Sequence, residues 1–434
     1  MAPHVTFNFK SASERLKGIT QETPLQLNAN LSRKFGCNVY LKREDLQVVR
    51  SYKLRGAYNK MVSLSPQQLA KGVVCASAGN HAQGFAFSCK VLGIKGVVFM
   101  PSTTPTQKIN QVKMFGGNHI TITLTGDTYD DCARAAIAYS EKNQQAFIHP
   151  FDDEKVIEGQ GTVGVEIIEQ FYENSPNTSS PNPSANDEPP APEIDFLLIP
   201  IGGGGLAAGV GSYVRTAKPA IKIIGIEPEG AASMKKAFEV GHPITLETID
   251  RFVDGAAVKR VGDITYAICK EVLDETLAIP EGKVCSAILR MYNKDAIVVE
   301  PAGALTIAAL FFMGDRIKGK NVVCIVSGSN NDIDRMQEIK ERSLQYEGFK
   351  HYFLINFAQR PGALKEFVNE VLGPDDDITR FEYMQKTNKE AGPALVGIEI
   401  KRREDYGSLI DRMKKTGIQY TELNKNNTLF SYLV

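Results

Sequence analysis

No charge of either sign prevails in this sequence: 50 basic side chains stand against 50 acidic ones over 434 residues. A nucleic-acid binder gains affinity by releasing counterions through a basic face, and a balance of zero supplies no such excess. No apolar run is long enough to cross a bilayer. The first 30 residues include Lys10, Glu14, Arg15, Lys17 and Glu22 without a sustained apolar stretch, so no secretory signal is expected. Cysteine is scarce, with seven residues of which the nearest pair, Cys75 and Cys89, lies 14 positions apart. That spacing fits neither a disulfide framework nor a CxxC metal knuckle, and reduced thiols in a cytoplasmic location are expected. Six histidines without HExxH or HxH spacing leave little material for a catalytic metal, and none is expected.

What is present is ordinary globular composition, 43% hydrophobic and 23% charged, long enough at about 150 residues per domain for two or three domains. From Gly36 to about Ile333, short β-branched runs alternate with amphipathic segments and glycine-rich turns, the pattern of an α/β domain. The spacing predicts strands at Asn38 to Lys42, Gly72 to Ala76, Gly96 to Met100, His119 to Leu124, Phe196 to Ile201, Lys222 to Glu227 and Val322 to Val326. Most are apolar at consecutive positions, as strands covered on both faces should be. Helical patterns include Asn80 to Leu92, Tyr129 to Gln144, Gly161 to Tyr172 and Gly303 to Phe312. Residues 173–193 are dominated by Ser, Pro and Asn and read as a disordered surface insertion.

Past Asp332 the pattern changes. Arg335 to Glu347 is a charged helical neck, followed by strand, helix, strand, strand, helix, strand. Within the first helix Leu364, Phe367, Val368, Val371 and Leu372 recur at i, i+3, i+4, i+7 and i+8. This βαββαβ order is the ferredoxin-like split motif.

Four consecutive glycines, Gly202, Gly203, Gly204 and Gly205, follow a strand and precede Leu206 and a helix. Such a turn exposes N–H groups at a helix N-terminus, which is a phosphate cradle. Gly202, Gly204 and Ala207 also satisfy GxGxxA, with Glu227 closing the next strand, so on this segment alone a dinucleotide site and a single-phosphate site both stay open. In Ser51 to Ala57 one lysine, Lys53, sits beside Tyr52 among small and mostly uncharged residues, the desolvated setting that a nucleophilic amine requires; a snorkelling surface lysine is the plainer reading. Ser77, Ala78, Gly79, Asn80 and His81 form a second anion-binding turn at the end of a strand, suited to a substrate carboxylate, unless Ser77 or Asn80 merely caps the helix. A third strand ends in Ser327, Gly328, Ser329 and Asn330.

Taken in order, SYKLRGAY, SAGNHAQG, VIEGQGT, GGGGL, DGAAVKRVGD, VEPAGAL and VSGSN resemble the fold-type II pyridoxal phosphate enzymes, above all the threonine dehydratases, over nearly the whole chain. The resemblance implies a tryptophan synthase β-like fold of two open, twisted, mainly parallel sheets flanked by helices over residues 1–335, with a small subdomain at about 55–155. It implies pyridoxal 5'-phosphate bound to Lys53 as a Schiff base, with Tyr52 beside the ring, Asn80 on the phenolic oxygen, Gly202 to Leu206 on the phosphate, Ser327 facing the pyridine nitrogen and Gly255 near the opposite face. A serine there makes the ring a weaker electron sink than an aspartate would, which suits β-elimination. The implied reaction converts L-threonine to 2-oxobutanoate and ammonia, the freed Lys53 amine taking the Cα proton. Ala78 replaces a second serine of the related serine racemases, so a lyase is implied rather than a racemase. Glu227 is followed by Ser233 where racemases complete a metal site, so an acid at a strand end is the preferred reading of Glu227. Residues 336–434, with Arg360, Pro361, Gly362, Ala363 and Leu364 at the first strand-to-helix turn, resemble an ACT-like regulatory domain. That implies isoleucine as effector and a homo-oligomer, tetramer or dimer; a purely structural dimerisation module is the plainer alternative. An L-serine-preferring dehydratase of the same fold, a nicotinamide-dependent oxidoreductase and a non-catalytic amino-acid sensor are the competing functions.

Overall fold

The apolar runs form strands, and the computed structural model describes residues 6–172, 192–386 and 389–424. The insertion expected at 173–193 therefore falls, but for its last two residues, outside the described residues. The strands of the first part are β1 (Leu25–Leu27), β2 (Asn38–Arg43), β3 (Val73–Ala76), β4 (Gly96–Met100), β5 (Ile120–Leu124), β6 (Ala146–Phe147), β7 (Phe196–Pro200), β8 (Lys222–Pro228), β9 (Glu275–Ile279) and β10 (Asn321–Val326). They build a six-stranded sheet in the order β1-β2-β10-β7-β8-β9 and a four-stranded sheet in the order β5-β4-β3-β6. All pairs are parallel except β1 with β2.

Each of the seven expected strands is present, Gly96 to Met100 with both ends as expected and the others with one end moved by one position. The three strands without a clear signal are β1, β6 and β9, which are short or lie at a sheet edge with half-buried side chains. The core of the larger sheet includes Leu197, Ile199, Ile223, Val323 and Ile325. That of the smaller includes Val73, Cys75, Phe85 and Val98.

The helix expected at Gly161 to Tyr172 is two turns longer, Glu154–Tyr172, because the glycines of VIEGQGT serve close packing rather than a turn. A Cβ on Gly159 would lie 2.5 Å from the Arg55 carbonyl oxygen, and one on Gly161 would lie 2.8 Å from that of Gly209. This helix thus meets, backbone to backbone, both the helix Lys53–Val62 and the helix Gly205–Ala217. The two elements that carry the lysine and the glycine loop are held by one rigid strut.

The chain divides into two compact units, Met1–Asp332 and Ile333–Val434. The second unit opens with the helix Met336–Tyr346 and continues with β11 (Lys350–Ala358), the helix Ala363–Glu370, β12 (Asp377–Tyr383), β13 (Ala391–Glu399), the helix Asp405–Lys415 and β14 (Tyr420–Glu422). Its antiparallel sheet runs β12-β13-β11-β14 and buries Phe353, Phe367, Val396, Ile398, Leu409 and Met413. The βαββαβ order read from the pattern is the one observed.

Candidate active site

In open parallel sheets, ligands collect beyond the carboxyl ends of strands where the strand order reverses direction. The larger sheet reverses between β7 and β10, and the smaller between β3 and β6. The glycine loop follows β7, Ser327 follows β10, and Ser77 to Asn80 follow β3. A cavity of about 530 Å³ opens there, walled by Lys53, by Ser77 to His81, by Gly203 and by Gly255. Tyr52, Gly202, Gly204, Gly205, Leu206 and Ser327 are not among its lining residues.

Lys53 begins the helix Lys53–Val62. Its Nζ donates to the Pro150 carbonyl oxygen at 2.9 Å and lies 5.3 Å from the centre of the Tyr52 ring. Burial pushes this amine down to about 8, with the Glu300 carboxylate acting in the opposite direction. Ser327, only 2% exposed, accepts the Tyr52 N–H through its carbonyl oxygen at 3.2 Å, so the end of β10 is tied to the residue preceding the lysine.

The four glycines have four steric reasons. A Cβ on Gly202 would lie 2.9 Å from Ala256 Cα, one on Gly203 would enter the Phe151 ring, and one on Gly205 would lie 3.0 Å from Phe151 Cβ. Gly204, at φ +95°, takes the left-handed conformation and would place a Cβ 2.8 Å from that of Thr265. The Gly203 carbonyl oxygen accepts from Thr265 Oγ1 at 2.6 Å, and the Gly204 oxygen faces Cys269 Sγ at 3.7 Å. With these two carbonyls engaged, the N–H groups of Gly202 to Leu206 have no acceptor among the described residues. Clustered free N–H groups without side chains fit a phosphate monoester.

The capping alternative for the second turn does not hold. Gly79 precedes the helix Asn80–Leu92 without a side-chain cap, and Ser77 Oγ accepts the Gly79 N–H at 3.2 Å. Asn80 points the other way: its Nδ2 donates to Glu300 Oε1 at 2.6 Å, and its Oδ1 accepts from Asn330 Nδ2 at 2.7 Å. His81 is 2% exposed, with Nε2 2.9 Å from the Ile148 carbonyl oxygen. Burial, reinforced by Lys53, pushes its ring down to about 3, so it stays neutral near pH 7. The turn thus offers Ser77 to Asn80 to a ligand, with His81 as a wall.

Sequence reasoning missed Glu300. It stands one residue before the helix Pro301–Met313, where an acid reads as a cap, yet its side chain makes no capping bond and turns into the site. A Cβ on Gly328 would lie 2.5 Å from its Oε1 and one on Gly255 would lie 3.3 Å from it. Burial pushes its carboxyl up to about 7, Asp254 adding to the rise and the Asn80 bond opposing it. The signal was present in VEPAGAL, but only the structure shows which way the acid faces. Glu227, also buried, accepts the N–H groups of Met234 at 2.7 Å and Lys235 at 2.8 Å, and so caps the helix Ser233–Val240.

Residues 16–328 match the family model of pyridoxal-phosphate dependent enzymes, and residues 341–433 match that of the C-terminal regulatory domain of threonine dehydratase. The biosynthetic L-threonine dehydratase IlvA of Halalkalibacterium halodurans is 55% identical over 98% of this chain and 97% of its own length. That of Bacillus subtilis is 56% identical over 98% and 96%. Among solved structures, the processed form of threonine deaminase isoform 2 from Solanum lycopersicum superposes with a TM-score of 0.67 at 37% identity, covering 79% of this chain and 99% of that one. These matches remove the nicotinamide reading of the glycine loop. The chain belongs to the pyridoxal-phosphate-dependent enzymes and, within them, to the biosynthetic threonine dehydratase family with its C-terminal regulatory domain.

Proposed function

We propose that this chain deaminates L-threonine by β-elimination, giving 2-oxobutanoate and ammonia with no net loss of water, and that isoleucine restrains it through residues 336–434. The observation that carries the catalytic reading is a buried amine, Lys53, sharing one cavity with a side-chain-free loop of N–H groups and a second anion-binding turn. In this reading Gly202 to Leu206 would hold the cofactor phosphate, Asn80 its phenolic oxygen and Ser327 its pyridine nitrogen, with Tyr52 and Gly255 near the ring.

Pyridoxal phosphate, when bound, supplies an aldehyde for amines and a conjugated ring that withdraws electrons from Cα. The protein does the rest. An amine brought down to about 8 is neutral often enough near pH 7 to act as a nucleophile and then, once displaced, to take the Cα proton at its Nζ. Ser77 to Asn80 orient the substrate carboxylate against the N-terminus of the helix Asn80–Leu92. Loss of the β-hydroxyl as water and hydrolysis of the released enamine complete the balance. Ala78 offers no hydroxyl for returning a proton to the opposite face, which favours elimination over racemisation.

In the second unit, a cavity of about 490 Å³ lies at the first strand-to-helix turn, lined by Phe357, Arg360, Leu364, Phe381 and Tyr383. A largely apolar pocket flanked by two cations, Arg360 and Lys365, suits a small aliphatic amino acid with its carboxylate. We place isoleucine there, and the active assembly as a homo-oligomer, tetramer or dimer, in the cytoplasm; no helix among the described residues is long and apolar enough to cross a membrane. The test is the ratio of kcat/KM for L-threonine and L-serine with 2-oxobutanoate or pyruvate as product. One methyl group is worth about 1–3 kcal/mol in a pocket, so a preference of about tenfold or more for threonine is expected. A preference for serine would replace the substrate while keeping the chemistry.

A further inference from the structure

Three consecutive residues run from the reactive amine past the glycine loop to the neighbouring helix Asp263–Val272. The Pro150 carbonyl oxygen accepts from Lys53 Nζ at 2.9 Å. The Phe151 ring fills the space that a Cβ on Gly203 would need. Next to it, the Asp152 carboxylate lies against the first turn of the helix Asp263–Val272. That helix has no cap of its own, because Gly262 precedes it. Asp152 takes its place: Oδ2 accepts from the Asp263 N–H at 3.0 Å, and Oδ1 accepts from those of Ile264 at 3.0 Å and Thr265 at 3.1 Å. A side chain at position 262 would collide with this carboxylate. Three donors that every helix leaves unpaired are thus satisfied by an anion from a distant segment, where the helix dipole also favours negative charge.

The capped helix acts on the loop. Thr265, fully buried, donates Oγ1–H to the Gly203 carbonyl oxygen at 2.6 Å, and one turn later Cys269 faces the Gly204 oxygen. A peptide whose oxygen is held on one side must present its N–H on the other.

We propose that Asp152 is a positioning residue for the cofactor phosphate: by fixing the helix Asp263–Val272 it lets Thr265 hold the Gly203 peptide so that the loop N–H groups face the cavity. The proposal rests on the reading of Gly202 to Leu206 as the phosphate loop, and the experiment separates the two.

Full-length protein stripped of cofactor is titrated with pyridoxal phosphate and with pyridoxal, which lacks the phosphate, and the bound chromophore is followed. Thr265→Val keeps the shape and drops the hydroxyl, Thr265→Ser restores it, and Asp152→Ala removes the cap. Loss of a cap or of one such bond corresponds to about tenfold, so Thr265→Val and Asp152→Ala are expected to bind pyridoxal phosphate about tenfold more weakly. Pyridoxal affinity should stay at its wild-type value, and Thr265→Ser should behave as wild type. Equal losses for both aldehydes, or none for either, would overturn the positioning role. Should Asp152→Ala fail to fold, the valine and serine variants at 265 still decide it. A wild type that does not prefer the phosphorylated aldehyde would instead overturn the phosphate-loop reading.

Discussion

Glu300 is a buried acid whose carboxylate accepts a hydrogen bond from the Asn80 amide. Its carboxyl is pushed up to about 7, chiefly by burial, from an ordinary 4.5. The native state therefore holds a proton that the unfolded chain releases between those values. Its contribution to stability is present in full below the unfolded value and is lost as the pH rises through about 7. Glu300→Gln keeps the acceptor for Asn80 and abolishes the titration. Relative to wild type, the variant should gain stability from about pH 5 to about pH 8, by as much as about 3 kcal/mol, read from urea midpoints at each pH. A difference that stays constant with pH would show that the carboxyl does not titrate in this window. Lys53, Asn80 and the glycine run were singled out in the sequence because such residues at strand-to-helix turns suit a nucleophilic amine and an anion, and Lys53, Asn80 and Gly203 line one cavity. Glu300 was not singled out, because an acid before a proline-led helix looks the same whether it caps that helix or faces away.

The helix Lys53–Val62 is anchored by charge from behind. Two residues after the lysine, Arg55 is 1% exposed and bonds Glu44 Oε2 and Oε1 at 2.8 Å each and Glu166 Oε1 at 2.6 Å. Lys42, also fully buried, meets Glu166 at 2.6 Å. Burial opposes the Arg55 charge, but Glu44 and Glu166 outweigh it and hold the guanidinium above its usual range. Removing one partner leaves the others buried and uncompensated, which costs more than the pair contributes. Arg55→Met is therefore expected to lower the stability of the protein by about 3–5 kcal/mol in urea unfolding. A loss below about 1 kcal/mol would mean that water or Lys42 compensates the acids. At this scale the seven expected strands of the first unit were legible to within one position, since β-branched runs between glycine turns have few other solutions, while β1, β6 and β9 were not. The start of the helix Glu154–Tyr172 was hidden, because glycine marks both turns and close helix packing, and only the neighbouring backbones distinguish them.

Over the whole molecule, the composition break after Asp332 coincides with a change of architecture, from parallel sheets to an antiparallel βαββαβ unit with its own core. A unit with its own core can in principle fold alone. Deleting residues 333–434 is expected to leave threonine turnover and to abolish inhibition by isoleucine, measured as initial rates with and without the amino acid. Inhibition that survives the deletion would place the effector site in the first unit. Arg360→Ala in the intact chain should likewise weaken the isoleucine response if its carboxylate meets that guanidinium.

The central claim is that Lys53 binds the cofactor covalently and performs the proton transfer. The visible absorption spectrum of cofactor-loaded wild type and Lys53→Ala, before and after L-threonine, tests it most directly. Wild type should be yellow, change on adding threonine and release 2-oxobutanoate, while the variant should lack the wild-type band and release none. A colourless, inactive wild type after incubation with pyridoxal phosphate, or a Lys53→Ala protein with unchanged turnover, would contradict the account.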